Sequence, residues 1–288
     1  MAQATARFVQ RHVGWGGGAM PAILMYHSVS PYSSDPYQVT VSPARFRQQM
    51  AWLRARGLRG VGVAELLAAR AEDGAAGLVG LTFDDGYSDF MHYALPVLAR
   101  YGFAATVFPL AARLGGVNTW DPAGPRKPLM TARQVRQAAE AGMEIGSHGL
   151  RHISLPGASG AALTAELENS RAVLQAASGQ PVAGFCYPYG DADMRVVEAV
   201  RTAGYAYGCA IWRGGHTSQH ALPRTYVGDS DVSWRLWAKA VKHRVTWDYV
   251  SRPLPHSASP DPAAPHSASP DPSAPHSASP DPSAPPFA

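Results

Sequence analysis

Between Pro21 and Arg252 the chain alternates amphipathic stretches with short apolar ones, and each amphipathic stretch closes at a glycine. Five junctions show this: RARGLRGVGV, LARYGFAATVF, AAEAGMEIGS, AASGQPVAGFCY and VRTAGYAYGCAI, turning at Gly57, Gly102, Gly142, Gly179 and Gly204. Glycine accepts the left-handed backbone that ends a helix, so these junctions read as helix-to-strand loops. Predicted helix starts agree. Ser42-Pro43 supplies an N-cap followed by an N1 proline, and Thr131 caps the segment that ends at Gly142. Repeated β-α units imply a parallel sheet, here with about seven candidate strands, either open and doubly wound or closed into a barrel. No Gly-x-Gly-x-x-Gly fingerprint follows the first strand, which favours an α/β fold of the (β/α) barrel type.

The alternation stops near Pro253. Beyond it, HSASPDPAAP at His256–Pro265 is followed by HSASPDPSAP from His266 and again from His276. With almost no apolar side chains to offset the entropy of ordering, residues 253–288 are expected to form a disordered tail. Residues 1–20 read as an N-terminal arm. They hold no unbroken apolar run of the length a secretory signal requires, and no later run reaches transmembrane length, so a cytoplasmic protein without a membrane span is expected. Residues 21–252 remain as one functional domain, and 46% apolar residues suffice for a substantial core. The net charge is +4 and the basic residues are scattered between apolar runs, which argues against nucleic acid as a partner. Cys186 and Cys209 each lie inside an apolar stretch and read as free thiols in buried strands. Oligomeric state has no signature in the sequence.

In a parallel barrel the reactive groups follow directly on apolar strands. Four places fit: ILMYH ending in His27, GLTFDDG with Asp84 and Asp85, MEIGSHGLRH with His148 and His152, and GFCYPYG around Pro188 and Tyr189. The four-residue spacing of His148 and His152 would, on a helical turn, point both imidazoles to one side as two ligands of one metal. Asp84 and Asp85 would repel each other in a buried setting unless something positive compensates, and a divalent ion does so. Neighbouring side chains at a strand end diverge, so one aspartate can bind the metal while the other acts as a base. The bland alternative for Asp-Asp-Gly is a turn with a helix cap.

TFDDG, SHGLRH and YPYG, in this order and spacing, resemble the first three motifs of the polysaccharide deacetylases, carbohydrate esterase family four or NodB-homology domains, over about residues 21 to 230. The resemblance implies a distorted (β/α) barrel and N-deacetylation of an N-acetylated amino sugar. It also implies one divalent metal held by Asp85, His148 and His152, with zinc expected and cobalt, nickel or iron compatible. Asp84 is then the general base, and the backbone N–H of Tyr189 helps stabilise the oxyanion. The family's late Leu-x-His acid is replaced here by Arg224 in LPRTYV. The segment MYHSV with the stretch from Phe46 to Leu53 is similar to the poly-N-acetylglucosamine deacetylase branch, which assigns the acid to His27.

His216 and His220 in GGHTSQH are rivals for that acid, with a loop role as their bland reading. His12, His92 and His243 read as surface residues. The family's arginine ahead of the YG motif is missing from AGFCYPYG, so Arg224 is expected to supply positive charge near Asp84. Trp120 and Asp121 in NTWDPAG are candidates for lining the sugar site, packing being the alternative for the tryptophan. Glycoside cleavage, which needs two facing acids, and a silent sugar-binding protein are the competing functions.

Overall fold

The computed structural model describes residues 20–211 and 217–250. The arm before Met20, His216 and the repeat tail lie outside the described residues. The strands are short: β1 (Ile23–Tyr26), β2 (Ser28–Val29), β3 (Thr40–Val41), β4 (Arg59–Val61), β5 (Leu78–Phe83), β6 (Thr106–Val107), β7 (Glu144–Ile145), β8 (Gly184–Cys186), β9 (Tyr207–Cys209) and β10 (Thr225–Tyr226). Between and after them run α1 (Pro43–Ala55), α2 (Val63–Ala71), α3 (Leu95–Tyr101), α4 (Ala132–Glu140), α5 (Gly160–Ser178), α6 (Met194–Thr202) and α7 (Ser233–Val250).

All pairings between these strands are parallel, in the order β10-β1-β5-β6-β7. A bridge from Ser147 to Phe185 carries the pairing on to β8, which pairs with β9, and a bridge from Cys209 to Leu222 returns it to the segment entering β10. The circuit thus closes through seven strands. Two of its joints are single bridges, which makes the ring a distorted one. An eighth strand, β4, pairs with the first half of β5. Closure leaves the rim strands no free edge and gathers the loops after the strands at one end, where the candidate chemistry lies.

Local signals explain the helices. Ser42 accepts from Arg45 N with Pro43 behind it, and Thr131 forms a full capping box with Gln134. Gly57, Gly102, Gly142, Gly179 and Gly204 all have positive φ, between +64° and +86°, as the five junctions require. Alternation along β5 sends Phe83 outward, where it meets Tyr26, Phe46 of α1 and Phe90 at ring distances of 4.9 to 5.8 Å. Thr82 and Asp84 therefore point inward. Cys186 and Cys209 are buried free thiols in register on β8 and β9. One expectation fails: His243 is buried, with Nε2 2.8 Å from the Met20 carbonyl, because it lies two turns beyond Leu236 on the inner side of α7. His92 is exposed as expected.

Candidate metal centre and catalytic cleft

The turn after β5 separates the two aspartates. Asp85 adopts φ 68° and Gly86 φ 72°, and a Cβ on Gly86 would lie 2.8 Å from the Pro109 backbone, so only glycine fits there. The bland reading was right that this is a turn. Neither carboxylate caps a helix, however.

Asp84, 2% exposed, faces inward onto Arg224, whose Nη1 and Nη2 each donate to one of its oxygens at 2.7 Å. Arg224 is itself buried and fixed by Thr82 Oγ1 at 3.0 Å and the Ala210 carbonyl at 3.1 Å. Burial alone would raise the Asp84 carboxyl, but the Arg224 guanidinium outweighs it and holds the group below its ordinary value. The charge expected from Arg224 is therefore delivered as a two-bonded clamp.

Asp85 points the other way. Its Oδ1 lies 3.4 Å from His148 Nε2 and 3.3 Å from His152 Nε2, and it has no hydrogen-bond donor although it is buried. The two histidines are not on a helical turn, as the spacing suggested. His148 follows the end of β7 and His152 closes a loop in which Gly149 and His152 both have positive φ, 83° and 64°. His148 Nδ1 lies 2.8 Å from the Cys186 carbonyl, a contact only an N–H can satisfy, which leaves Nε2 with a free lone pair. Trp120 stacks on His152 with centroids 4.7 Å apart, and Tyr189 meets it edge-on at 4.3 Å.

The three donor atoms of Asp85, His148 and His152 lie within 4.8 Å of one another. An orphaned carboxylate oxygen facing two imidazole nitrogens is the arrangement a divalent cation satisfies. Asp84, His148 and Cys186 form a second group of the same kind. There a cation is already in place, since Arg224 engages both Asp84 oxygens and its Nη2 lies 3.1 Å from Cys186 Sγ. Burial also raises the Cys186 thiol, disfavouring the thiolate a metal needs.

The centre opens into a cleft of about 350 Å³ lined by His27, Tyr37, Trp120, Asp121, Tyr189 and Ile211 among others. A larger apolar cavity lies at the strand starts, around Met20, Trp52 and Leu78, remote from these groups. His27 Nε2 is 3.9 Å from Asp84 Oδ2, and its Nδ1 is buried without a hydrogen-bond partner. Pro188 and Tyr189 form a 3₁₀ turn, Pro188 buried and Tyr189 half exposed at φ 59°. Burial and the charge of Asp85 raise the Asp121 carboxyl. His220 lies elsewhere, its Nε2 3.0 Å from the Tyr205 carbonyl, which supports its loop reading. Sequence reasoning missed Glu166, which holds the loop between the two histidines. A charged residue on the Leu163, Leu167, Leu174 face of a helix was the available signal.

The family profile described as polysaccharide deacetylase matches residues 71–208, a span that holds both aspartates, both histidines and Tyr189 but neither His27 nor Arg224. YxkH of Bacillus subtilis, a protein provisionally named as a polysaccharide deacetylase, is 29% identical over 227 residues, 76% of each chain. The poly-β-1,6-N-acetyl-D-glucosamine N-deacetylase of Escherichia coli is 30% identical over 135 residues, 43% of this chain and 20% of that protein. Among solved structures, IcaB from Ammonifex degensii superposes with a TM-score of 0.63 at 26% identity, covering 77% of this chain and 97% of that one. Motifs, fold and relatives agree: residues 71–208 match the polysaccharide deacetylase family, and the likeness to its members runs over about three quarters of the chain.

Proposed function

We propose that this carbohydrate N-deacetylase hydrolyses the acetamide of an N-acetylated amino sugar with one divalent metal, releasing acetate and leaving a free amine. The observation that carries the reading is the convergence of Asp85 Oδ1 with the Nε2 atoms of His148 and His152, beside an aspartate already neutralised by Arg224. Asp85, His148 and His152 would hold the ion. When bound, such a cation supplies Lewis-acid chemistry, acidifying water and polarising an amide carbonyl.

The other roles belong to the protein. Asp84 takes the proton from the attacking water; Arg224 keeps it ionised at neutral pH and fixes the direction of its lone pairs. His27, which lines the same cleft beside Asp84, gives a proton to the departing amine. The Tyr189 amide donates to the oxyanion, and Pro188 fixes the turn that presents it. Trp120 and Tyr189 flank His152 and line the sugar-side wall. The E. coli relative acts, by its name, on poly-β-1,6-N-acetyl-D-glucosamine, so oligomers of that linkage are the first substrate to try. Zinc is the first metal to try. No helix among the described residues is long and apolar enough to cross a membrane.

An acetate-release assay over a panel of N-acetylated sugars and oligomers tests the reading. Release should stop on chelation and return with zinc or cobalt. Release that ignores the chelator, or glycan binding without release at any metal, would sink it.

A further inference from the structure

Helix α5 buries Leu163, Glu166, Leu167, Ser170 and Leu174, so a carboxylate and a hydroxyl interrupt an apolar stripe. Glu166 and Ser170 are both 0% exposed, one turn apart on the same side of the helix. Glu166 reaches the segment that links the two histidines, and Ser170 reaches Ser147 just ahead of it. Glu166 Oε2 accepts from the backbone N–H of Leu150 at 2.6 Å and of Arg151 at 3.3 Å, while Oε1 accepts from Arg151 Nε at 2.9 Å. Ser170 Oγ accepts from Ser147 Oγ at 2.8 Å, and Ser147 Oγ in turn accepts from Gly149 N at 3.1 Å. On the other side, the Gly149 and Leu150 carbonyls accept from Ala111 and Ala112 N. Every residue between His148 and His152 is therefore tied down. The approach is close: a Cβ on Gly149 would stand 3.0 Å from Glu166 Oε2.

Burying a carboxylate is unfavourable unless its oxygens are filled, and an apolar residue would serve a purely structural helix contact better. Glu166 instead commits both oxygens to three hydrogen bonds from two loop residues, Leu150 and Arg151. We infer that Glu166 is a positioning residue for the metal centre. It presets the separation of His148 and His152 by fixing the backbone between them, with Ser170 holding the start of the same loop. The inference rests on the metal reading above. A preset loop spares the ion the work of ordering its own ligands, so the effect falls on metal affinity.

The test uses the full chain, stripped of metal and titrated with cobalt(II), with zinc followed by competition against a chromophoric chelator. Thermal unfolding of each metal-free variant runs in parallel. Glu166→Ala should weaken cobalt binding by about ten- to a hundredfold and alter the cobalt absorption spectrum. Glu166→Gln, which keeps an acceptor for Leu150, should lose less. Arg151→Ala, which removes only the side-chain pair, should bind as the native chain does. Native affinity in folded Glu166→Ala overturns the inference, and so does a loss in Arg151→Ala equal to that in Glu166→Ala. If Glu166→Ala does not fold, Glu166→Gln decides, with unchanged affinity and spectrum overturning the idea. A native chain that binds no cobalt fails in a different way, taking down the metal reading itself.

Discussion

Two groups of carboxylates, one partly and one fully buried, lie one pleat apart in this barrel, and their partners separate structure from site. Glu144 on β7 is in register with Thr106 on β6, and Thr106 with Thr82, two residues before Asp84. Its oxygens are filled by Thr106 Oγ1 at 2.7 Å, the Ala64 amide at 3.0 Å and Tyr207 Oη at 2.6 Å. With Thr106 Oγ1 accepting from Val63 N, the cluster caps α2, whose own N-cap position is the side-chain-free Gly62. All of those partners are neutral and close. Asp85, two residues past the end of β5, has an oxygen with no donor and two imidazole nitrogens facing it. Both are withdrawn from solvent, Glu144 partly and Asp85 almost fully, so the filling of their oxygens separates them more sharply than burial does. Unfilled coordination marks function.

The largest expected effect tests that distinction on activity. Asp85→Ala should abolish tight metal binding and lower the rate of acetate release by about a thousandfold or more, since several kcal/mol of charge stabilisation leave with the ion. Glu144→Gln, at a carboxylate that is only partly exposed, should leave the rate within a few-fold. Comparable losses from both would erase the contrast. The next effect is on stability. Arg224→Ala strands a buried charge on Asp84 and should destabilise the fold by about 3–5 kcal/mol, while Tyr207→Phe removes one neutral donor from Glu144 and should cost about 1–3 kcal/mol. Urea midpoints measure both. Arg224→Ala should also move the acidic limb of the rate profile to higher pH, and an unchanged profile and rate would discard the role of Arg224 in tuning the base.

The smallest effect is a difference in sign with pH. Burial raises the Glu144 carboxyl, and hydrogen bonds from Thr106 and Tyr207 offset only part of the rise. A folded-state value above the unfolded one stabilises the protein below the ordinary glutamate range, and that contribution is lost as pH rises through the folded value. Asp84, held low by Arg224, behaves oppositely: its contribution is in place above the ordinary aspartate range and is lost as pH falls through the depressed value. Glu144→Gln should therefore gain stability over the native chain toward alkaline pH, read as the difference in urea midpoints at about pH 5 and about pH 8. A difference that does not change with pH would remove Glu144 from this account.

Much of the molecule was legible from the chain alone. The five glycines that end helices, the caps at Ser42 and Thr131 and the buried strands around Cys186 and Cys209 are local matters of backbone freedom and side-chain reach, which neighbours in sequence decide. The motifs around Asp84, Asp85, His148 and His152 named side chains that the fold does bring together, because short spacing on a strand end limits where those groups can go. Closure of the barrel decided the rest. Arg224 lies 140 residues from Asp84, and its bonds exist only because β10 returns beside β1. The histidine loop owes its shape to Glu166 and to positive-φ backbone rather than to a helical turn. His243, read as exposed, was buried by the packing of its helix. Each of these depends on contacts between distant segments, and a one-dimensional pattern carries the residue but not the partner that tertiary folding brings to it.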